Sequence, residues 1–421
     1  MTRKRILPTR FQRNLSIKSS HSSLFESGIL RIHRPVAHTI RRHRQSDIIP
    51  PKVSSQTMQI LKHSWESICK NKPTILPEIK SLGDADIKNI HSVSMYSYIP
   101  QKIREEFESI KQSGITCEAE LSRGRKCNIH IVAPSHSNNS FESYVVDILT
   151  WLNFASSIAS PQCAQTLHVY LLLTDAKKRI PALDTEPVDQ IHANTAFTTS
   201  CSPKNSIFIF RREEWFKVMM HETFHCFGLD FSSSVGDKSN ERILSIFPAV
   251  NPNTDIRLYE TFCEMWAELF HIMFCLFHKK CRKFSEKKYR EALVKEQRFS
   301  IYQSNKILKC AGYNYKSILV FPSSPLYTEN TQAFSYYVIK SIMMWNLDQF
   351  IAWCLKYAKS KENHIPIQFN IRHINQYCNL VEQMTKNDRG YANATEKRPS
   401  REILNIADIT HTLRMTSIDM D

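Results

Sequence analysis

Glycine is scarce in this chain, and the glycine-rich loop motifs that bind nucleotides are missing from it. Only 8 of the 421 residues are glycine, and neither a GxGxxG nor a P-loop pattern occurs. Folds that hold phosphates on such loops therefore have no support. Internal repeats are also absent, and no segment resembles a nucleophile elbow, so nothing favours a serine or cysteine hydrolase.

Long apolar runs and paired cysteines are lacking as well. The longest apolar run, residues 272–277, is far shorter than the roughly 20 residues that cross a bilayer. The first residues are basic, and no apolar stretch of a secretory signal follows them. The 12 cysteines are scattered singly, without a CxxC pair, which is typical of a reducing compartment. We therefore predict an intracellular, cytoplasmic protein with no membrane span.

Positive charge exceeds negative charge, and the excess is concentrated at the N-terminus. The net charge is +16, and residues 1–52 contain only Glu26 and Asp47 as acids. Residues 1–55 are therefore predicted to form a basic, disordered tail. Three roles are open to it: binding of nucleic acid or an anionic surface, import into an organelle as a transit peptide, or solubilisation without a specific partner.

The rest of the chain favours a large, mainly helical core. Hydrophobic residues make up 42% of the chain, and helical periodicity dominates residues 293–308, 333–357 and 371–384. We predict an α+β fold, mainly α, with one small mixed sheet. The expected division is a helical N-terminal region 56–125, a catalytic core 126–280, a helical part 281–384 and a polar C-terminal tail 385–421.

One motif carries a sharp chemical signal. His221-Glu222-Thr223-Phe224-His225 is a complete HExxH in a segment with helical periodicity. A spacing of four residues puts the two imidazoles on one helix face, one turn apart, where they can share a zinc ion. Glu222 projects about 100° round the helix from His221, so it can take a proton from water at the metal without being a ligand.

The residues around the motif suit this interpretation. Residues 206–210 are β-branched and aromatic, as in a buried strand, and apolar positions recur at helical spacing between Trp215 and Phe224. Gly228 comes three residues after His225, where a helix would end. A strand, a helix bearing HExxH and a closing glycine are therefore predicted in that order.

Catalytic zinc normally takes three protein ligands, so a third ligand is needed. One route is an HExxHxxGxxH pattern, with a histidine six residues after His225. Gly228 is in register for it, but Phe231 holds the ligand position, and Asp230 comes one residue too early. That route fails unless the register shifts.

A second route uses a glutamate from a later helix. Glu260, Glu264 and Glu268 recur every four residues, and three carboxylates on one stripe repel unless a cation or a basic partner compensates them. The residues around them are too apolar for a solvated helix. The stripe is therefore predicted to face a buried site.

With these residues the chain resembles the gluzincin branch of the zincin metallopeptidases. There the third ligand is a glutamate on a helix, and an acid one turn later orients a ligand histidine. Two registers fit: Glu260 followed by Glu264, or Glu264 followed by Glu268. We favour Glu264 as the ligand, because Ala267 permits close approach of the first helix, and keep Glu260 as the alternative. The resemblance implies zinc as the cofactor.

The resemblance extends upstream and implies a zincin-like arrangement, with a small sheet above the HExxH helix and a helical lower subdomain. The predicted elements follow the order of the zincin upper subdomain: strand 126–134, helix 143–159, strand 167–174, strand 194–197, strand 206–210 and the HExxH helix. In zincins an edge strand pairs with an extended peptide substrate through backbone hydrogen bonds. Residues 194–197 match that strand, so Asn194 and Ala196 are the expected substrate-binding residues.

Related enzymes also contain a tyrosine or histidine that donates a hydrogen bond to the developing oxyanion. The resemblance gives this role to Tyr337, with Tyr336 as an alternative and His271 as a weaker candidate. More loosely, the chain is similar to uncharacterised HExxH proteins of large DNA viruses, through segments such as Glu213-Glu214-Trp215. That likeness implies a viral protein of the host cytoplasm or the virion.

Three hypotheses about function follow. The first is a zinc-dependent metallopeptidase that cleaves a peptide or protein substrate with a zinc-bound water activated by Glu222. The second is a basic virion or nucleic-acid-associated structural protein with a vestigial or structural zinc site, although such a site has no use for Glu222 as a base. The third is a helical scaffold with an accidental HExxH, which predicts that His221 and His225 lie apart from every carboxylate of residues 260–268.

Overall fold

Seven stretches of the chain make up the described structure. The computed structural model describes residues 48–135, 140–182, 186–232, 239–278, 282–322, 326–358 and 365–420. All of them belong to one compact unit, Gln45–Asp421. The predicted basic tail, with its candidate nucleic-acid partner, falls on residues 1–55 and so lies almost entirely outside the described residues.

A mixed sheet of six strands occupies the first half of the described chain. The strands are β1 (Ile79–Ser81), β2 (Gln112–Leu121), β3 (Arg125–Pro134), β4 (Thr166–Leu172), β5 (Ala196–Thr198) and β6 (Lys204–Ile209). Their order across the sheet is β1-β2-β3-β4-β6-β5. β3, β4 and β6 run parallel, whereas β1, β2 and β5 pair antiparallel with their neighbours. A short edge strand is therefore present near the one predicted at 194–197, but it covers Ala196–Thr198.

Helices make up most of the remaining structure. They are α1 (Ser55–Lys70), α2 (Asp84–His91), α3 (Gln101–Glu108), α4 (Phe141–Ile158), α5 (Gln190–Ala193), α6 (Trp215–Cys226), α7 (Ser239–Ile246), α8 (Leu258–Phe277), α9 (Glu286–Cys310), α10 (Tyr315–Ile318), α11 (Lys340–Trp345), α12 (Leu347–Tyr357), α13 (Ile374–Asn387), α14 (Arg389–Thr395) and α15 (Arg401–Leu404). With 53% helix and one small mixed sheet, the prediction of an α+β, mainly α fold is confirmed. Among the described residues, no helix is both long enough and apolar enough to cross a membrane.

The core lies between the sheet and the helix pair α6 and α8. Helix α6 contacts β5 and β6 of the sheet and also packs against α8. A buried hydrogen bond of 3.0 Å from Trp151 Nε1 to Thr223 Oγ1 attaches α4 to α6. On α8, Phe262, Trp266 and Phe270 are fully buried in the same core. The position of α6 is therefore fixed by contacts with the sheet, α4 and α8.

We predicted that the N-terminal region 56–125 is helical, and this is wrong in part. It contains β1 and the ten-residue strand β2, which pairs along its whole length with β3. The sequence signal for β2 is that Ile115, Cys117 and Leu121 all stand at odd-numbered positions, and all three are buried. Such spacing is typical of a strand with one face in the core. Two strands of the sheet thus come from outside the predicted core.

The C-terminal region 385–421 is not a polar tail. Its helices α14 and α15 place Tyr391 and Ile403 in the interior, and Leu413 and Thr416 farther along the chain are fully buried. Glu214 and Glu296 accept hydrogen bonds from backbone N–H groups of residues 415–417. Buried carboxylates far away in sequence explain why a polar segment lies inside the protein.

A disulfide joins Cys163, in the loop after α4, to Cys201, just before β6. For this pair, the interpretation of the cysteines as reduced thiols is wrong. The disulfide packs closely against Gly228, two residues after the end of α6. A Cβ placed on Gly228 would lie 2.8 Å from Cys163 Sγ. Since Gly228 also has φ +63°, both the turn and the contact require glycine there.

Replacing both Cys163 and Cys201 by serine is expected to lower the free energy of unfolding. The bridge spans 38 residues, and closing a loop of that length stabilises a protein by about 4 kcal/mol in the chain-entropy description. Denaturant unfolding without reductant measures the loss. Reductant should destabilise the wild-type protein to a similar extent and leave the double variant unchanged; a variant as stable as the oxidised wild type would contradict the expectation.

Candidate metal centre

Helix α6 carries the HExxH motif into the interior of the protein. It begins at Trp215, directly after Glu214, whose φ of +59° turns the chain into the helix. All of its residues are buried. His221 and His225, one turn apart, face the N-terminal half of α8, which carries the predicted acidic stripe.

Three side-chain atoms from the two helices meet at one place. His221 Nε2 lies 2.9 Å from Glu260 Oε2 and 3.0 Å from His225 Nε2, and His225 Nε2 lies 3.3 Å from the same Glu260 oxygen. Tetrahedral zinc with bonds of about 2.0–2.1 Å requires its donors to lie about 3.3 Å apart. Two imidazoles and one carboxylate at these separations form a group that could hold a metal ion.

The outward-facing nitrogens of both imidazoles contact carboxylates. His221 Nδ1 lies 2.9 Å from Glu264 Oε1, and His225 Nδ1 lies 2.6 Å from Asp230 Oδ2. Carboxylates at these positions can orient an imidazole whose other nitrogen binds a metal, and the contact of His225 with Asp230 is a hydrogen bond. Burial alone would lower the pKa of His221, but its contacts with Glu260 and Glu264 raise it to about 9.

The geometry favours the register that we ranked second. Glu260, not Glu264, completes the group of three, and Glu264 instead lies between His221 Nδ1 and the ammonium of Lys217. Glu268 pairs with Lys340 at 2.9 Å, one turn farther from the histidines. Ala267 is buried, but Glu260, in the first turn of α8, is the carboxylate that contacts Nε2 of both histidines.

Lys217 has a structural role that the sequence analysis missed. It lies four residues before His221 and is completely buried. Burial opposes ionisation of Glu264, yet the charges of Lys217 and His221 hold the pKa of Glu264 below its usual range. The sequence did contain a signal for this role, because Lys217 stands among apolar residues of a helix. A lysine that is buried there requires an acidic partner.

Asp230 is not a metal ligand in this arrangement, although it lies close to His225. Gly228 reverses the chain after α6, and the carboxylate of Asp230 returns to His225 Nδ1. Cys263 Sγ lies 3.6 Å from the same carboxylate, so His225, Asp230 and Cys263 form a second cluster. The 2.6 Å contact within it is that of a hydrogen bond and is too short for two donors that share one ion.

Glu222 borders a small cavity that His221 also lines. The cavity has a volume of about 20 Å³ and is lined by Lys178, Ala193, Asn194, Thr195, Ala196, Val218, His221, Glu222, Glu264, Tyr336 and Met415. That volume holds about one water molecule. Burial raises the pKa of Glu222, which makes its carboxylate a stronger base than one in water.

The edge strand β5 lines the same cavity. Phe210 N–H donates to Thr195 O at 2.9 Å. Because pairing alternates along an antiparallel ladder, the N–H and C=O of Ala196 point away from β6. The side chain of Asn194 accepts a hydrogen bond from Thr331 Oγ1 at 2.8 Å. Of the two predicted substrate-binding residues, Ala196 therefore offers backbone groups at the site, whereas the Asn194 side chain already has a partner.

Of the two candidate tyrosines, Tyr336 faces the site and Tyr337 does not. The predicted helix 333–357 begins with a π-helical turn, Phe334–Ile339, which carries both residues. The Tyr336 ring centroid lies 5.9 Å from that of His221. The Tyr337 hydroxyl instead donates to the Leu413 carbonyl in the core. The assignment of Tyr337 to the site is therefore wrong.

His271 also lies away from the metal centre. It is eleven residues after Glu260 on α8, about three turns along the helix. Its closest polar contact is Cys275 Sγ, 3.5 Å from Nε2, and burial lowers its pKa to about 3. It is a neutral core histidine and cannot donate to a group held at Glu260.

Comparison with protein-family models, with curated proteins and with solved structures finds no match to this chain. The chemistry of the site therefore rests on its own geometry. That geometry contradicts the hypothesis of an accidental HExxH on a scaffold, since His221 and His225 both lie within 3.3 Å of the Glu260 carboxylate.

Proposed function

We propose that this protein is a zinc-dependent metallopeptidase of gluzincin type. The observation that carries the proposal is the group of His221, His225 and Glu260 donor atoms at zinc-like separations, with Glu222 beside it in a cavity for one water molecule. Glu260 contributes a ligand from α8, as in the gluzincin pattern, and Glu264 orients His221. The substrate class is a peptide or protein.

The donor set suits zinc. His221 and His225 would bind through Nε2 and Glu260 through one carboxylate oxygen, and nitrogen and oxygen donors of this kind are usual for catalytic zinc. A bound zinc ion would supply Lewis-acid polarisation of the scissile carbonyl and acidify the water that attacks it. Three protein ligands leave a fourth position for the reaction.

Glu222 would act as the general base and then as the general acid. Its carboxylate borders the cavity but is not one of the three clustered donors. It would accept the proton of the attacking water and then pass it to the leaving amine, the role that a general base with a raised pKa serves well. Tyr336, which faces the same cavity, would donate a hydrogen bond to the carbonyl oxygen as negative charge develops there.

The outward N–H and C=O groups of Ala196 would orient the peptide. An extended chain that adds to the edge of β5 forms backbone hydrogen bonds whatever its sequence. Such pairing holds the scissile bond beside α6, because Ala196 and Glu222 line one cavity. It also explains why the short β5 is left at an edge without a charged side chain on it.

The alternative, a structural zinc site in a basic virion or nucleic-acid-associated protein, has less support. A structural site normally closes with four protein ligands. Among the described residues, three donors meet at the first cluster, and Asp230 and Cys263 lie on the other side of His225. A buried carboxylate at the cavity, Glu222, also has a use in hydrolysis and none in a closed site.

The first experiment is a measurement of zinc in the purified full-length chain by elemental mass spectrometry, beside a His225→Ala variant. We expect about one zinc per wild-type chain and its loss in the variant, because His225 Nε2 is one of the three donors. A peptide library then reports cleavage by the zinc-loaded wild type. Absence of zinc from both proteins, even after reconstitution, would contradict the proposal.

A further inference from the structure

The C-terminal segment, residues 411–420, passes directly beside the candidate site. It runs along residues 178–180: Leu413 N–H donates to Lys178 O at 3.1 Å, and Ile180 N–H donates to His411 O at 2.8 Å. The segment then crosses the start of α6, where Met415 N–H and Thr416 N–H both donate to Glu214 Oε1.

The segment is a fixed part of the site. Glu214 and Glu296 are fully buried carboxylates, and Glu296 accepts two hydrogen bonds from Ser417 N–H at 3.0 and 2.9 Å. Lys340 Nζ donates to the Met415 carbonyl at 3.1 Å and also pairs with Glu268. Withdrawal of the segment would remove these hydrogen bonds from the buried side chains of Glu214, Glu296 and Lys340, which is unfavourable.

The side chain of Met415 lines the cavity that Glu222 borders. Met415 is only 5% exposed, and it lines the cavity together with Val218 and the edge residue Ala196. Its Sδ accepts a 3.7 Å hydrogen bond from Lys217 Nζ, which holds the thioether in place. The space that remains, about 20 Å³, accommodates a group no larger than about one water molecule.

We propose that Met415 is the residue that determines which side chain fits beside the scissile bond, and that the substrates have glycine or alanine at one of the two residues that flank it. The inference rests on the proposed peptidase function. A peptide that pairs with Ala196 must direct one side chain into the cavity between β5 and α6, because side chains alternate along an extended chain. Only a hydrogen atom or a methyl group fits against Met415.

The test compares cleavage profiles of full-length zinc-loaded proteins on a peptide library. Met415→Ala removes three heavy atoms from the cavity wall, so kcat/KM for peptides with Leu, Met or Phe at that position should rise at least about 10-fold relative to those with Ala, the scale of a hydrophobic pocket contact. Met420→Ala is the matched control, because it shortens a methionine on the same segment that is not among the cavity-lining residues. It should keep the wild-type profile.

Met415→Val is a second, milder variant and should broaden the profile in the same direction if Met415→Ala does not fold. A wild-type profile without preference for small residues, or an unchanged profile in both Met415 variants, would overturn the inference while leaving the peptidase proposal intact. Failure of every zinc-loaded protein to cleave any peptide would overturn the proposed function itself.

Discussion

Replacing Glu222 by glutamine is expected to lower kcat by roughly 10²- to 10⁴-fold, the contribution of a well-placed general base, while one zinc ion stays bound per chain. The carboxylate of Glu222 is not among the three clustered donors, so metal binding does not require it. Glutamine has the same shape but cannot take a proton from water. Turnover of the best library peptide and zinc content, measured on the same preparation, give the two values.

The control for this experiment is an unchanged thermal unfolding midpoint of the Glu222→Gln protein. Glu222 is buried at the cavity, and an amide of the same size fills the same space. Retained hydrolysis in the variant would remove Glu222 from the mechanism. Loss of zinc together with activity would mean that Glu222 supports the metal and does not act as the base.

Changing each acid of the α8 stripe to glutamine is expected to weaken zinc binding in the order Glu260, Glu264, Glu268. Glu260 Oε2 lies 2.9 and 3.3 Å from the two histidine nitrogens, so its loss removes a donor. Glu264 contacts the outer nitrogen of His221, and loss of such a partner typically costs 10–100-fold in metal affinity. Loss of Glu260 should cost more. Competition with a chelator of known affinity measures the zinc dissociation constant of each variant.

Glu268→Gln serves as the matched control in this series. Its carboxylate pairs with Lys340 and lies beyond the metal cluster, so zinc affinity should hold near the wild-type value. Protein stability should fall instead, because Lys340 would be left buried without its acidic partner. A larger loss of zinc affinity for Glu264→Gln than for Glu260→Gln would favour the register in which Glu264 is the ligand.

Much of the fold around the site could be predicted because its signals are local. The strand before α6, the helix itself and the turn at Gly228 follow from apolar spacing and from one glycine. The buried strands β3 and β4 are short apolar runs that periodicity alone identifies. The strand β2 was missed although its alternation was present, because Ile115, Cys117 and Leu121 stand among polar residues in a region that we interpreted as helical.

The choice between neighbouring side chains could not be made from sequence. Glu260 and Glu264 have the same spacing on one stripe, and Tyr336 and Tyr337 are adjacent residues. The angle at which α8 crosses α6 decides between the glutamates. The π-helical turn at Phe334–Ile339 directs Tyr336 towards His221 and leaves Tyr337 to bond with Leu413.

The C-terminal segment was predicted wrongly for a related reason. Residues 411–420 are polar and have no strong periodicity, so composition indicates a tail. Inside the protein, their backbone N–H groups find the carboxylates of Glu214 and Glu296. Those partners lie more than 100 residues away in the chain. Local sequence patterns do not predict contacts over such separations.

The sequence by itself determined the HExxH helix with His221, Glu222 and His225, the acidic stripe and the α+β, mainly α class, because each depends on spacing within one element. Only the tertiary structure decided that Glu260 joins the histidines, that Glu264 and Asp230 contact them, and that Met415 lines the cavity. Those outcomes depend on how separate elements cross and on buried charges that require partners, which are properties of the packed chain and not of any one segment.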